Sequence, residues 1–212
     1  VPEIGESSET LPEGNVSVTL GRCGRIEFNV DVPGSGGHGA VPHENNRVNA
    51  ITQASIIALA VEEYSRSLPS YKPFEGSPRV TNASALVTKI DGGNGTLSVP
   101  DKAQLTINRI LIPGESPESA LAELKNLLEE LRNQGKLQGS TIGKETSWPE
   151  VTILPRPTPL LLPYVMDPTE PVIREALKVV ASKASELEGK EVSCFPGVGV
   201  SVADENRFAA EA

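Results

Sequence analysis

Polar and apolar residues alternate through Arg25-Ile26-Glu27-Phe28-Asn29-Val30-Asp31-Val32, the period of a strand that buries one face. Val16-Ser17-Val18-Thr19-Leu20 alternates in the same way. From Val48 to Leu68 the period changes. Val48, Ile51, Ile56 and Leu59 recur at helical spacing, and Pro69 stops the run. Pro73, Gly76 and Pro78 mark the segment from Ser70 to Pro78 as loop. Val80 to Ile90 and Ala103 to Ile112 are strand-like again and flank the turn-rich Asp91-Gly92-Gly93-Asn94-Gly95. Ser116 is placed to cap a helix with Pro117 at its first position. Leu121, Leu124, Leu127, Leu128 and Leu131 lay one apolar stripe along that helix, and Gly135 ends it. Gly139 to Trp148 carries no period and reads as disordered, before a last strand at Val151-Thr152-Ile153-Leu154.

This order predicts an α/β protein of the α+β kind. Residues 16–154 form a ferredoxin-like β-α-β-β-α-β domain with both helices on one sheet face. After Leu154 the texture changes, with six prolines between Pro155 and Pro171. A helix opens near Asp167 to Thr169 with Val172, Ile173, Ala176, Leu177 and Val180 as its apolar positions, ending before Gly189. Val192-Ser193-Cys194-Phe195 reads as a buried strand and Ala203 onward as the start of another helix. This segment has too little apolar surface for a core of its own. Residues 1–15 and 155–212 are therefore expected to be pieces of a second domain.

Charge and composition narrow the partners. The 212 residues carry a net charge of −9 without a block of Lys or Arg, which argues against nucleic acid or an anionic membrane. The apolar run Leu160-Leu161-Leu162 is far too short to span a bilayer. Val1-Pro2-Glu3 does not open a signal peptide, and a cytoplasmic protein is expected. Asn-x-Ser/Thr sequons at Asn15, Asn82 and Asn94 weigh against that compartment. Cys23 and Cys194 lack metal-ligand spacing and read as free thiols.

The candidate chemistry lies in Gly34-Ser35-Gly36-Gly37-His38-Gly39-Ala40-Val41-Pro42-His43. Glycines on both sides of His38 let the backbone turn sharply and leave the imidazole uncovered. Taken alone, that pattern describes an exposed loop histidine.

Several stretches in order carry a resemblance. They are Gly21-Arg22-Cys23-Gly24-Arg25-Ile26-Glu27-Phe28, Gly37-His38-Gly39-Ala40-Val41-Pro42-His43 and Val48-Asn49-Ala50-Ile51. Val87-Thr88-Lys89-Ile90-Asp91-Gly92-Gly93, Val99-Pro100-Asp101-Lys102-Ala103-Gln104-Leu105-Thr106-Ile107 and Pro113-Gly114-Glu115-Ser116-Pro117-Glu118 follow. Together they resemble the lid, or dimerisation, domain of the acetylornithine deacetylase, succinyl-diaminopimelate desuccinylase and carboxypeptidase G family. The resemblance runs over most of residues 1–132 and weakens from 133 to 212.

It implies a fragment of a zinc-dependent hydrolase that cleaves amide or peptide bonds of N-acyl amino acids or small peptides. Two zinc ions, with cobalt or manganese as alternatives, would be held by His, Asp and Glu in a catalytic domain. The chain has only two histidines, both in the lid loop, so it is expected neither to build that centre nor to turn over substrate alone. His38 aligns with a histidine that crosses a homodimer interface to donate to the oxyanion in the partner's site. Glu6 in Ile4-Gly5-Glu6-Ser7-Ser8 resembles a zinc-ligand motif, with Ser7 where Pro is usual. Asp204 in Val202-Ala203-Asp204-Glu205-Asn206 resembles an Asp near the substrate pocket, and a helix N-cap is its alternative role. His43 is expected to steady the loop or cap the next helix. The family's Asn and Arg for a substrate carboxylate correspond here to Leu97 and Ile110. Arg109 is adjacent, but on a strand its side chain points to the opposite face, which leans away from a strict carboxylate requirement. The competing reading is a non-catalytic dimerisation or small-ligand-binding module of the same fold.

Overall fold

Strand β1 (Asn15–Arg22) leads into β2 (Gly24–Pro33), the two-residue β3 (Gly37–His38) and helix α1 (Ala50–Ser67). Short arms β4 (Ser70–Tyr71) and β5 (Thr81–Asn82) pair before β6 (Ser84–Gly92), β7 (Ser98–Val99) and β8 (Lys102–Leu111). Helix α2 (Pro117–Asn133), β9 (Ser140–Ile142), β10 (Glu145–Ser147) and β11 (Glu150–Ile153) complete the first body. Beyond it come β12 (Tyr164–Val165), α3 (Pro171–Glu188) and β13 (Ser193–Gly199). The computed structural model describes residues 15–72, 74, 80–93, 95–155, 160–200, 202, 206 and 209.

The main sheet runs β11-β2-β8-β6, every pair antiparallel. With α1 between β2 and β6 and α2 between β8 and β11, this is the expected β-α-β-β-α-β order. Alternation decides its faces. Ile26, Phe28, Val30 and Val32 of β2 and Ala103, Leu105 and Ile107 of β8 are buried. They share one core with Ala50, Ala54, Ile57 and Val61 of α1 and Ala120, Leu124 and Leu131 of α2. Both helices therefore cover one face, and each large apolar side chain buried there contributes roughly 1.5–3 kcal/mol. The other face carries Glu27, Asn29 and Asp31 beside Asn108, Thr106 and Gln104.

Helix α2 starts where expected. The Ser116 hydroxyl accepts from the Ser119 N–H and the Ser119 hydroxyl accepts from the Ser116 N–H, a reciprocal cap with Pro117 in the first turn. Two expectations need correction. Gly139 to Trp148 is ordered: β9 and β10 form a hairpin with Thr141 and Thr146 hydroxyls 2.9 Å apart, and the Ser140 hydroxyl donates to the Gly34 carbonyl. Trp148 closes the segment under the Arg132 guanidinium, 4.1 Å from its ring centre. The second concerns residues 15–22, which do not join the main sheet. Strand β1 pairs in parallel with β13 and antiparallel with β12. Alternation reveals one buried face but not which strand lies alongside.

The connection between the two sheets is tight. A Cβ on Gly24 would strike the Leu161 carbonyl and the Pro163 ring, so only glycine allows the crossing chains to touch. The buried Asn206 amide donates to the Cys23 and Leu162 carbonyls at 2.9 and 2.8 Å. Cys23 sits at this crossing as a free thiol, and burial, with the Glu115 carboxylate adding to it, pushes its pKa up to about 11. No helix among the described residues is long and apolar enough to cross a membrane.

Candidate functional site

The loop between β2 and α1 is closed at its base. The Ser35 N–H donates to the Val48 carbonyl at 2.8 Å, and the Val48 N–H donates to the Ser35 hydroxyl at 2.6 Å. Asn49 then caps α1, its Oδ1 accepting from the Ile51 and Thr52 N–H groups. Within the loop, Gly37 and His38 pair with Val99 and Ser98, and the Gly39 N–H reaches the Leu97 carbonyl at 3.1 Å. A side chain on Gly39 would press against that carbonyl, so a bare backbone is what permits the approach.

His38 is exposed at the rim of this ladder. Its Nδ1 accepts the Ala40 N–H at 3.1 Å. A neutral imidazole has one N–H and one lone pair, so accepting at Nδ1 puts the proton on Nε2. That Nε2–H is a donor without a partner among the described residues. The His38 carbonyl accepts from the Val41 N–H at 3.1 Å, and the Val41 carbonyl accepts from the Glu44 N–H at 3.2 Å. Asn45 and Asn46 follow at φ 58° and 54°, left-handed backbone for which asparagine is better suited than most side chains. Arg47 donates from Nη1 to the Val41 carbonyl at 3.2 Å and lies 3.4 Å from a Glu44 carboxylate oxygen.

His43 precedes the 3-10 turn Glu44–Asn46 but its side chain makes no capping bond there. The cap of α1 belongs instead to Asn49, six residues further along and next to the first free N–H groups of the helix. Glu6 and Asp204 lie outside the described residues. Leu97 is exposed and Ile110 half-buried. Arg109 is fully buried on the helix-covered face, where its guanidinium donates to Glu115 at 2.6 Å and lies 3.5 Å from Glu123. It is held by the protein's own carboxylates and is unavailable to a substrate's. Tyr64 donates to the same Glu123, and burial raises the Tyr64 hydroxyl to about 12, with the Glu123 hydrogen bond adding to it. Among the described residues, no three His, Cys, Asp or Glu side chains come together as a metal ion requires. They do not fit a metal centre; what they offer is a hydrogen-bond donor on a fixed loop.

Among the described residues, the antiparallel sheet carries both helices on one face, β6 pairs with no further strand on its outer edge, and the histidine loop is exposed: together they define an α+β domain. The family model described as "Peptidase dimerisation domain" matches residues 20–136, more than half of the sequence, and the chain belongs to that family. A stretch of 126 residues is 31% identical to the "Uncharacterized protein YgeY" of Escherichia coli K12. The match spans 59% of this chain but only 29% of that protein.

Solved structures agree on the fold. The crystal structure of AtUAH in complex with glyoxylate superposes with a TM-score of 0.60 at 19% identity, over 91% of this chain and 38% of that one. An amidase of the hydantoinase/carbamoylase family from Burkholderia phymatum gives 0.59 at 16% identity, over 92% and 41%. A Staphylococcus aureus tripeptidase gives 0.57 at 16% identity, over 92% and 43%. The chain thus spans less than half the length of these relatives.

Proposed function

We propose that this chain is the dimerisation domain, with adjoining pieces of the catalytic domain, of a zinc-dependent hydrolase. Its substrates are amides or peptide bonds of N-acyl amino acids or small peptides, and its dimer is formed from two identical subunits. In this reading His38 reaches the partner's active site. There its Nε2–H donates to the oxygen that becomes negative when the scissile carbonyl turns tetrahedral. A donor already aimed and held needs no reorganisation as that charge develops. The observation that carries the reading is the Nδ1 bond to the Ala40 N–H, which leaves Nε2 as the proton-bearing, uncommitted nitrogen of an exposed ring.

The metal ligands and the general base would come from the rest of the protein, with Glu6 as one ligand offered by this chain and Asp204 near the substrate. The neighbours' names, a tripeptidase and amidases among them, support amide hydrolysis as the reaction class. Helix α3 supports the completion by further protein: it has no buried residue and exposes Val172, Val179 and Leu187, a face that another packing layer would cover.

The test is His38→Ala in the full-length enzyme, assayed on N-acyl amino acids and dipeptides. Loss of one oxyanion donor is expected to lower kcat on the order of a hundredfold, with the melting temperature nearly unchanged because the side chain is exposed. Undiminished kcat would remove the catalytic role and favour a purely dimerising or ligand-binding module.

A further inference from the structure

Arg47 is unusual among the residues of its loop. Residues 40–46 are all exposed, whereas the Arg47 side chain keeps only 19% of its accessible surface. What covers it is the backbone at Gly37. A Cβ placed on Gly37 would fall inside the Arg47 side chain, on Cδ, Nε and Cζ. The guanidinium therefore lies flat across the residue that immediately precedes His38. From there Nη1 reaches forward to the Val41 carbonyl at 3.2 Å. Residue 41 is also where the turn after His38 closes, its N–H on the His38 carbonyl. One side chain thus spans the backbone on both sides of the histidine.

The rest of the loop gives little support of its own. It contains two successive left-handed asparagines, and its ties to the rest of the domain lie before residue 40. These are the β3–β7 pairing, the Gly39 N–H on the Leu97 carbonyl, the Gly34 N–H on the Asp101 carbonyl, the Ser140 hydroxyl on the Gly34 carbonyl and the Ser35–Val48 closure. We propose that Arg47 is a positioning residue: laid across Gly37 and bound to the Val41 carbonyl, it fixes the turn that keeps the Ala40 N–H on His38 Nδ1 and so presents Nε2–H. A Cβ at residue 37 would displace the guanidinium, since the three atoms nearest to it all belong to Arg47. The exposed Glu44 partner adds little energy, which makes Arg47 a residue of geometry more than of stability. The catalytic consequence rests on the function proposed for His38; the structural part does not.

Two measurements in the full-length dimer separate these. Solid-state 15N NMR of histidine-labelled protein reads the His38 tautomer, with His38→Ala assigning the signal. The wild type is expected to show protonated Nε2 alone. Arg47→Ala and Gly37→Ala are both expected to give a mixture of tautomers, because either frees the turn. Arg47→Lys should not restore the single form, since an ammonium lacks the flat fork that covers Gly37 while reaching residue 41. Kinetics on N-acyl amino acids and dipeptides complete the test. Arg47→Ala is expected to lower kcat about tenfold with KM and melting temperature nearly unchanged, as misplacement of a reacting group does. In the His38→Ala background the same change should have no further effect. A single Nε2–H tautomer in Arg47→Ala overturns the proposal, as does an Arg47→Ala loss that persists without His38. A tautomer mixture together with unchanged kcat in His38→Ala would leave the clasp standing and remove the oxyanion role.

Discussion

Arg109 is the largest fully buried side chain among the described residues, and a buried guanidinium is tolerable only when its charge is met. Glu115 meets it at 2.6 Å and also accepts the Ile112 N–H at 2.9 Å through its other oxygen. The carboxylate thus closes the turn after β8 while neutralising the residue beneath α1 and α2. Taking away one partner of such a pair leaves the other charged in a dry place. Glu115→Ala is expected to cost about 3–5 kcal/mol in chemical denaturation, with KM unchanged in the protein that still folds. Replacing both partners, as in Arg109→Met with Glu115→Gln, should cost less than the sum of the single changes. A shift in KM with unaltered stability would mean instead that Arg109 serves a ligand.

Strand β6 is the element with unfinished business. It closes the main sheet on one side only, and nine residues of its outer edge face no neighbouring strand among those described. Open edges of this length invite another strand. Leu59 of α1 and Leu86 and Ile90 of β6 flank the shallow groove beside it, all largely exposed. Two copies meeting edge to edge about a two-fold axis would continue the sheet and cover these residues. Leu59→Glu, exposed and so harmless to the monomer fold, is expected to shift the full-length protein from dimer to monomer in sedimentation. An unshifted dimer would place the interface elsewhere.

What the sequence disclosed follows the same division by element. Long segments with a single period, β2, β8, α1 and α2, were legible because ten or more residues repeat one choice of face. The β9–β10 hairpin and the β3–β7 rung were not, being two or three residues long with mostly polar side chains. The partner of β1 was also hidden, since it lies more than 170 positions away at β13. His38 stood out through its glycines. Arg47 gave no signal, because one arginine in a polar loop has no spacing to mark it, and its contact with Gly37 exists only once the loop is folded.

At the scale of the whole molecule, the proposed reading, a dimer formed through the β6 edge with an exposed His38 loop, would divide one active site between two subunits. This arrangement makes a prediction that no single-chain site would share. Suppose His38→Ala subunits are mixed with subunits inactivated in the catalytic domain, each inactive by itself. In a mixed dimer the intact catalytic domain of the first faces the intact His38 of the second. One working site per mixed dimer, with mixed dimers forming half of a random population, gives about a quarter of wild-type activity. The recovery should be abolished by Leu59→Glu in both subunits, because it depends on the shared edge. It should also appear only as fast as subunits exchange, which sedimentation of tagged subunits can time independently. Mixed dimers that form but stay inactive would place His38 in the site of its own subunit, or in none.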